Sequence, residues 1–139
     1  MNTDTDAANA QLVTDYLTQA WNDGSFDTGV VSDDYVAHVN DPANTYTVAE
    51  MQALAATYRD AFPDFHLAVP AVVATDGRVA LRYRWTGTHE GPVRGIDPTG
   101  QPVEVHGMGH FHVEDGQLDE AWYVEDVHGL LDQLGATGE

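Results

Sequence analysis

The chain has no cysteine and no lysine, and its 5 basic residues, all arginine, face 23 acidic ones for a formal net charge of -18. Without cysteine, disulfide staples and thiolate chemistry are excluded, and the redox compartment leaves no trace. A field this negative repels nucleic acid and anionic membrane surfaces, so neither is an expected partner. No apolar run approaches the roughly 18 residues that a membrane span needs, and no basic leader precedes a cleavage pattern, so a soluble, cytoplasmic protein is the expectation. The carboxylates are dispersed between well-patterned apolar segments instead of forming a tail, which reads as the surface of a halophilic protein. At molar salt the Debye length shrinks to roughly 3 Å, and self-repulsion of such a surface is screened.

The 139 residues fit one domain, with residues 1–8 read as a flexible, acidic N-terminus and residues 9–139 as the folded unit. Leu12, Tyr16, Leu17, Ala20 and Trp21 recur at helical spacing until Asn22-Asp23-Gly24 ends the pattern. A short irregular piece follows, and Tyr35, Val36 and His38 lead to a turn at Asn40-Asp41-Pro42. Thr47-Val48-Ala49-Glu50 is a capping box that opens a second helix with Leu54, Tyr58, Ala61 and Phe62 on one face, stopped by Pro63.

Beyond Phe65 the apolar period changes from helical to alternating. Two long strands, 65–75 and 78–88, are joined by Asp76-Gly77, and a second hairpin turns at Asp115-Gly116. Both dipeptides suit the two-residue turn whose central residues need positive φ. Residues 90–102 form a Gly/Pro-rich loop, and 128–134 a closing helix before Gly135. Helices followed by long antiparallel strands give an α+β domain: a strongly curved antiparallel sheet wrapped around the N-terminal helices, cone-shaped, with an internal pocket at its mouth.

Several segments then resemble one family in their order and spacing: Phe62-Pro63-Asp64-Phe65, Gly87-Thr88-His89-Glu90-Gly91, Gly95-Ile96-Asp97-Pro98-Thr99-Gly100, Glu114-Asp115-Gly116, Trp122, Asp126, and Gly129 through Gly135. Together they are similar to SnoaL-like polyketide cyclases of the nuclear-transport-factor-type cone fold. The resemblance implies cofactor-free and metal-free acid/base chemistry by an aspartate on the last strand and a histidine on the preceding one. It also implies a homodimer formed through the outer sheet face. Counted from Asp115-Gly116, those two positions carry Tyr123 and Gly109 here.

The candidate catalytic residues are therefore Tyr123 as a hydrogen-bond donor to a developing enolate, His38 as proton shuttle and Asp126 as carboxylate base. Asp126 also stands where an N-cap would, and Glu125 shares the Tyr123 face by parity but reads as surface in so acidic a chain. Trp21, Tyr16, Phe62, Trp85, Gly109 and Phe111 are the candidate walls for a small hydrophobic molecule. Glycines 107 and 109 inside a strand signal close approach, by a ligand or by a helix. His106, His110 and His112 share the other face with Glu104; a sheet face lacks convergent further ligands, so no metal is expected there. Two functions follow: a small-molecule enzyme of cyclase, isomerase, dehydratase or hydrolase type acting on a hydrophobic carbonyl compound, or a non-catalytic ligand-binding or dimerisation module.

Overall fold

A computed structural model describes residues 3–26 and 28–135. Helix α1 (Thr3–Asp23) is followed by a short 3-10 turn and strands β1 (Val31–Val39) and β2 (Asp41–Tyr46). Helix α2 (Val48–Ala61), strands β3 (His66–Thr75), β4 (Arg78–Thr88), β5 (Pro102–Glu114) and β6 (Gln117–Glu125), and helix α3 (Val127–Gln133) complete the order. The α+β expectation holds: three helices accompany one curved, unclosed six-stranded sheet. Its strand order is β2-β1-β6-β5-β4-β3.

Three local readings change. Helix α1 begins at Thr3 rather than Asn9, so the segment expected to be frayed is helical in its described part; Met1 and Asn2 lie outside the described residues. Segments 31–39 and 41–46 are strands, and β1 pairs parallel to β6 while every other pairing is antiparallel. Alternation is weak in 31–39 and absent in 41–46, where most residues are exposed, so periodicity has no signal to offer there. Prolines 42 and 70 both sit in edge strands, where a missing N–H breaks no central ladder, and the β3–β4 register slips around Pro70.

The turn chemistry behaves as read. Asp76 and Gly77 have φ of 51° and 78°, Asp115 and Gly116 of 53° and 75°, and each pair closes a hairpin. Thr47 and Glu50 form the reciprocal capping box, with the Glu50 amide on Thr47 Oγ1 at 3.2 Å and the Thr47 amide on Glu50 Oε1 at 2.8 Å. Strand β5 alternates throughout: odd residues face the helices and are buried, even residues face outward. Phe62, Phe111, Leu17 and Leu118 are among the largest fully buried side chains of the one core shared by sheet and helices.

Candidate active site

Where α1 and α2 cross the concave face of the sheet, they leave a cavity of about 310 Å³. Its apolar wall includes Leu17 and Trp21 from α1, Met51 and Leu54 from α2, Leu67 from β3 and Trp85 from β4. The titratable side chains on its wall are Tyr46, Tyr58, Tyr83, Tyr123, Arg94 and Glu125. Glu125 is the one carboxylate and Arg94 the one guanidinium among the lining residues described.

Glu125 is held by two neutral donors. Tyr83 Oη donates to its Oε1 at 3.0 Å, and Trp85 Nε1 to the same oxygen at 3.3 Å. The register explains this reach: Tyr83 lies opposite Gly107 on β5, and Gly107 lies opposite Glu125 on β6. A Cβ on Gly107 would fall 2.3 Å from Tyr83 Cζ, so the missing side chain is what lets the Tyr83 ring lie across the strand. Burial raises the Glu125 pKa above the ordinary carboxylate range, against the two hydrogen bonds and the Arg94 charge, which pull it down. The result is a carboxyl group with a raised pKa on the wall of a cavity that is part apolar and part phenolic.

Tyr123 also lines the cavity. Its pKa is pushed well up, first by burial and then by the neighbouring phenols of Tyr35 and Tyr16. A phenol in that state donates a hydrogen bond at any physiological pH and cannot serve as a base. The backbone on either side is clamped by Asn40: its amide donates to the Tyr123 carbonyl at 2.8 Å, and its Oδ1 accepts the Glu125 amide at 2.7 Å. Asn40 does this at φ 65°, a conformation asparagine tolerates better than most residues.

Among the other candidate residues, Trp21 and Trp85 line the cavity. Tyr16, Phe62 and Phe111 are buried core outside the lining set. Gly109 faces inward, but its space is occupied by the Phe111 ring, 2.6 Å from where a Cβ would stand, so both strand glycines make room for aromatic rings rather than for a ligand or a helix. Asp126 is exposed and caps α3, with Gly129 N donating to its Oδ1 at 2.8 Å. Two residues the sequence reading passed over line the cavity: Glu125, set aside as surface, and Arg94, left in an unassigned loop.

His38 lies on the opposite face of the sheet, away from the cavity. Its Nδ1 meets the Pro42 carbonyl at 2.7 Å and its Nε2 meets Glu120 Oε2 at 2.7 Å. The ring stacks on Trp122 at 5.3 Å, and His110 stacks on Trp122 at 5.2 Å, giving a three-ring ladder across β1, β6 and β5. The β5–β6 register slips by one between His112 and Val113. Consecutive residues Asp119 and Glu120 thereby both reach outer-face histidines, Asp119 Oδ1 lying 2.7 Å from His112 Nδ1. His106 pairs with Glu104 at 2.9 Å, so the histidines of this face are engaged one by one and do not converge. The trio His112, Glu114 and Asp119, with potential ligand atoms within 4.8 Å of one another, is the one such group among the described residues.

Residues 11–134 match the sequence profile of the SnoaL-like polyketide cyclases. The chain belongs to the SnoaL-like polyketide cyclase family. AclR from Streptomyces galilaeus, provisionally described as a hydroxylase, is 33% identical, with 96% of this chain and 88% of that one covered at a TM-score of 0.83. IdmH from Streptomyces antibioticus, provisionally described as a polyketide cyclase, is 27% identical over 91% of this chain and 98% of that one, at 0.79. TsrD from Streptomyces laurentii is 26% identical over 94% and 97% of the two chains, also at 0.79. Among curated proteins none shows significant sequence similarity to this chain.

Proposed function

We propose that this SnoaL-like protein performs cofactor-free acid/base chemistry on a hydrophobic carbonyl compound bound in the cavity, with Glu125 moving the proton. The observation that carries the reading is Glu125 itself: a carboxyl with a raised pKa, aimed by Tyr83 and Trp85, on the wall of a cavity that is part apolar and part phenolic. In the working cycle Glu125 takes a proton from the carbon beside the carbonyl, and Tyr123 donates a hydrogen bond to the enolate oxygen that forms. Return of the proton to a different atom gives isomerisation; attack of the enolate carbon on a second carbonyl, whose oxygen takes the proton back from Glu125, gives ring closure. AclR and IdmH carry different activity descriptions, so likeness to them supports a pocket enzyme and does not select among these outcomes.

Proton exchange tests this without knowledge of the substrate. In D₂O the protein should accelerate α-deuteration of a compact aromatic ketone such as 2-tetralone, followed by NMR, and Glu125→Gln should abolish the acceleration. Exchange by the wild-type protein no faster than in buffer would sink the assignment.

A second reading, a ligand-binding or dimerisation module without catalysis, draws on one observation: the positions implied for the family's aspartate and histidine carry Tyr123 and Gly109. Under either reading the assembly we propose is a homodimer through the outer sheet face, where Val73, Met108 and Val124 are 69%, 60% and 64% exposed.

A further inference from the structure

We infer that Arg94 makes the cavity selective for a ligand carrying an anionic oxygen, a carboxylate or an ionised enol, on a flat apolar frame. The inference rests on the small-molecule reading above and names the class of molecule.

Among the described residues there are three two-residue turns with both central residues at positive φ: Asp76-Gly77 (51° and 78°), Arg94-Gly95 (51° and 77°) and Asp115-Gly116 (53° and 75°). Aspartate suits the first position because its short carboxylate can bond the local backbone. Arginine has no such compensation, and its turn needs nothing that aspartate, asparagine or glycine would not supply better. The exception among the three is the turn that borders the cavity.

That turn is firmly placed. The Ile96 amide donates to the Val93 carbonyl at 2.8 Å, and the Val93 amide returns to Ile96 at 3.2 Å. The amides of Glu90 and Gly91 both bond the Ala61 carbonyl at the end of α2, at 2.9 and 3.0 Å. The fully buried His89 ring accepts the Thr99 amide at 3.1 Å on the far side of the loop. Arg94 Nε then donates to Tyr58 Oη at 2.9 Å, which fixes the plane of the guanidinium and leaves its terminal nitrogens for another acceptor. Among the described residues no carboxylate lies within ion-pair distance of it, although the chain has 23.

One physical argument converts this placement into selectivity. Arg94 is exposed at the cavity's edge, and a protein of net charge -18 repels an approaching anion unless a fixed cation faces it. Arg94 supplies that cation, and its fork matches a carboxylate or a 1,3-dicarbonyl enolate in two-point contact.

The test compares matched acid and methyl-ester pairs of planar aromatic ketones with one, two and three rings, binding being read from quenching of the cavity tryptophans Trp21 and Trp85. The wild-type protein should bind at least one acid about tenfold or more tightly than its ester, as a hydrogen-bonded ion pair implies. Arg94→Gln should bring that ratio near one while leaving ester affinity little changed. Arg94→Gly, which fits the positive φ better, keeps the turn and should do the same. An unchanged ratio in both variants, or esters bound as well as acids by the wild type, would overturn the selectivity while leaving the cavity reading intact. Failure of every acid and every ester to bind would overturn both.

Discussion

The Tyr83 hydroxyl donates to Glu125 across two strands, at 3.0 Å, through the space that Gly107 leaves open. One carboxyl group is thus aimed by a residue two strands away and by a side chain that is not there, while burial raises its pKa.

Replacing the carboxyl separates chemistry from stability. Glu125→Gln is expected to lower α-proton exchange by about 10²-fold or more, the usual contribution of a positioned base. The same variant should be more stable than wild type at neutral pH. Because the folded pKa of Glu125 lies above its unfolded value, the native state binds the extra proton, and stability falls as pH rises between the two values. The advantage of Gln should therefore be largest above that window and vanish near pH 4, which thermal melts of both proteins across pH will show.

Gly107→Ala should reproduce part of this defect without touching a polar atom. The new methyl displaces the Tyr83 ring, costing about 1–3 kcal/mol as other overpacked cores do. Tyr83→Phe leaves the packing and removes one hydrogen bond that pulls the Glu125 pKa down, so the acidic limb of the exchange profile should move to higher pH. An unshifted profile in Tyr83→Phe would mean that the Tyr83–Glu125 contact does not tune the carboxyl.

A second pH effect sits on the outer face. The His38 pKa is raised, first by the Pro42 carbonyl and then by Glu120: with Nδ1–H donated to the carbonyl, only the protonated ring can also donate from Nε2. Its contribution is fully present below the unfolded value near 6.5 and is lost as pH rises through the folded one. Glu120→Gln should narrow the stability difference between pH 6 and pH 8; equal slopes in urea-derived profiles of the two proteins would count against it.

The dimer is checked by sedimentation in high salt. Val124→Asp places a charge beside Met108 in the exposed apolar strip and should shift the protein to monomer at concentrations where wild type is dimeric. A monomeric wild type would remove the outer face from the account.

Charge predicts the last response. With 23 carboxylates and 5 guanidinium groups, the melting temperature should climb steeply as potassium chloride rises from 0.1 to about 2 M, through screening of self-repulsion. Sodium sulfate at equal ionic strength should act at least as strongly, and a flat response to both salts would argue against a salt-adapted surface.

Most of the fold was legible because the period of apolar residues changes sharply after Phe65, and because Asp-Gly punctuates both long hairpins. The site was legible only in part. Parity placed Tyr123 and Glu125 on one face, but composition argued Glu125 outward; what decides its place is a tyrosine donor two strands away, a relation that exists only once register is known. Arg94 was hidden for a different reason: loops carry no periodicity, and the one available signal was an arginine in front of a turn glycine where the other two turns have aspartate. His38 was misplaced because a strand of nine residues has a burial pattern too irregular to reveal which face it uses.

The sheet order carries a consequence for how this protein comes into being. Strand β6 is the last of the six in sequence, yet it lies inside the sheet, between β1 and β5. Without it, β1 and β2 are not joined to the rest of the sheet, and β5 presents an open edge. The strand that closes the gap also delivers Tyr123 and Glu125. Tyr123 and Glu125 therefore reach the cavity only when the strand that joins the two parts of the sheet is in place.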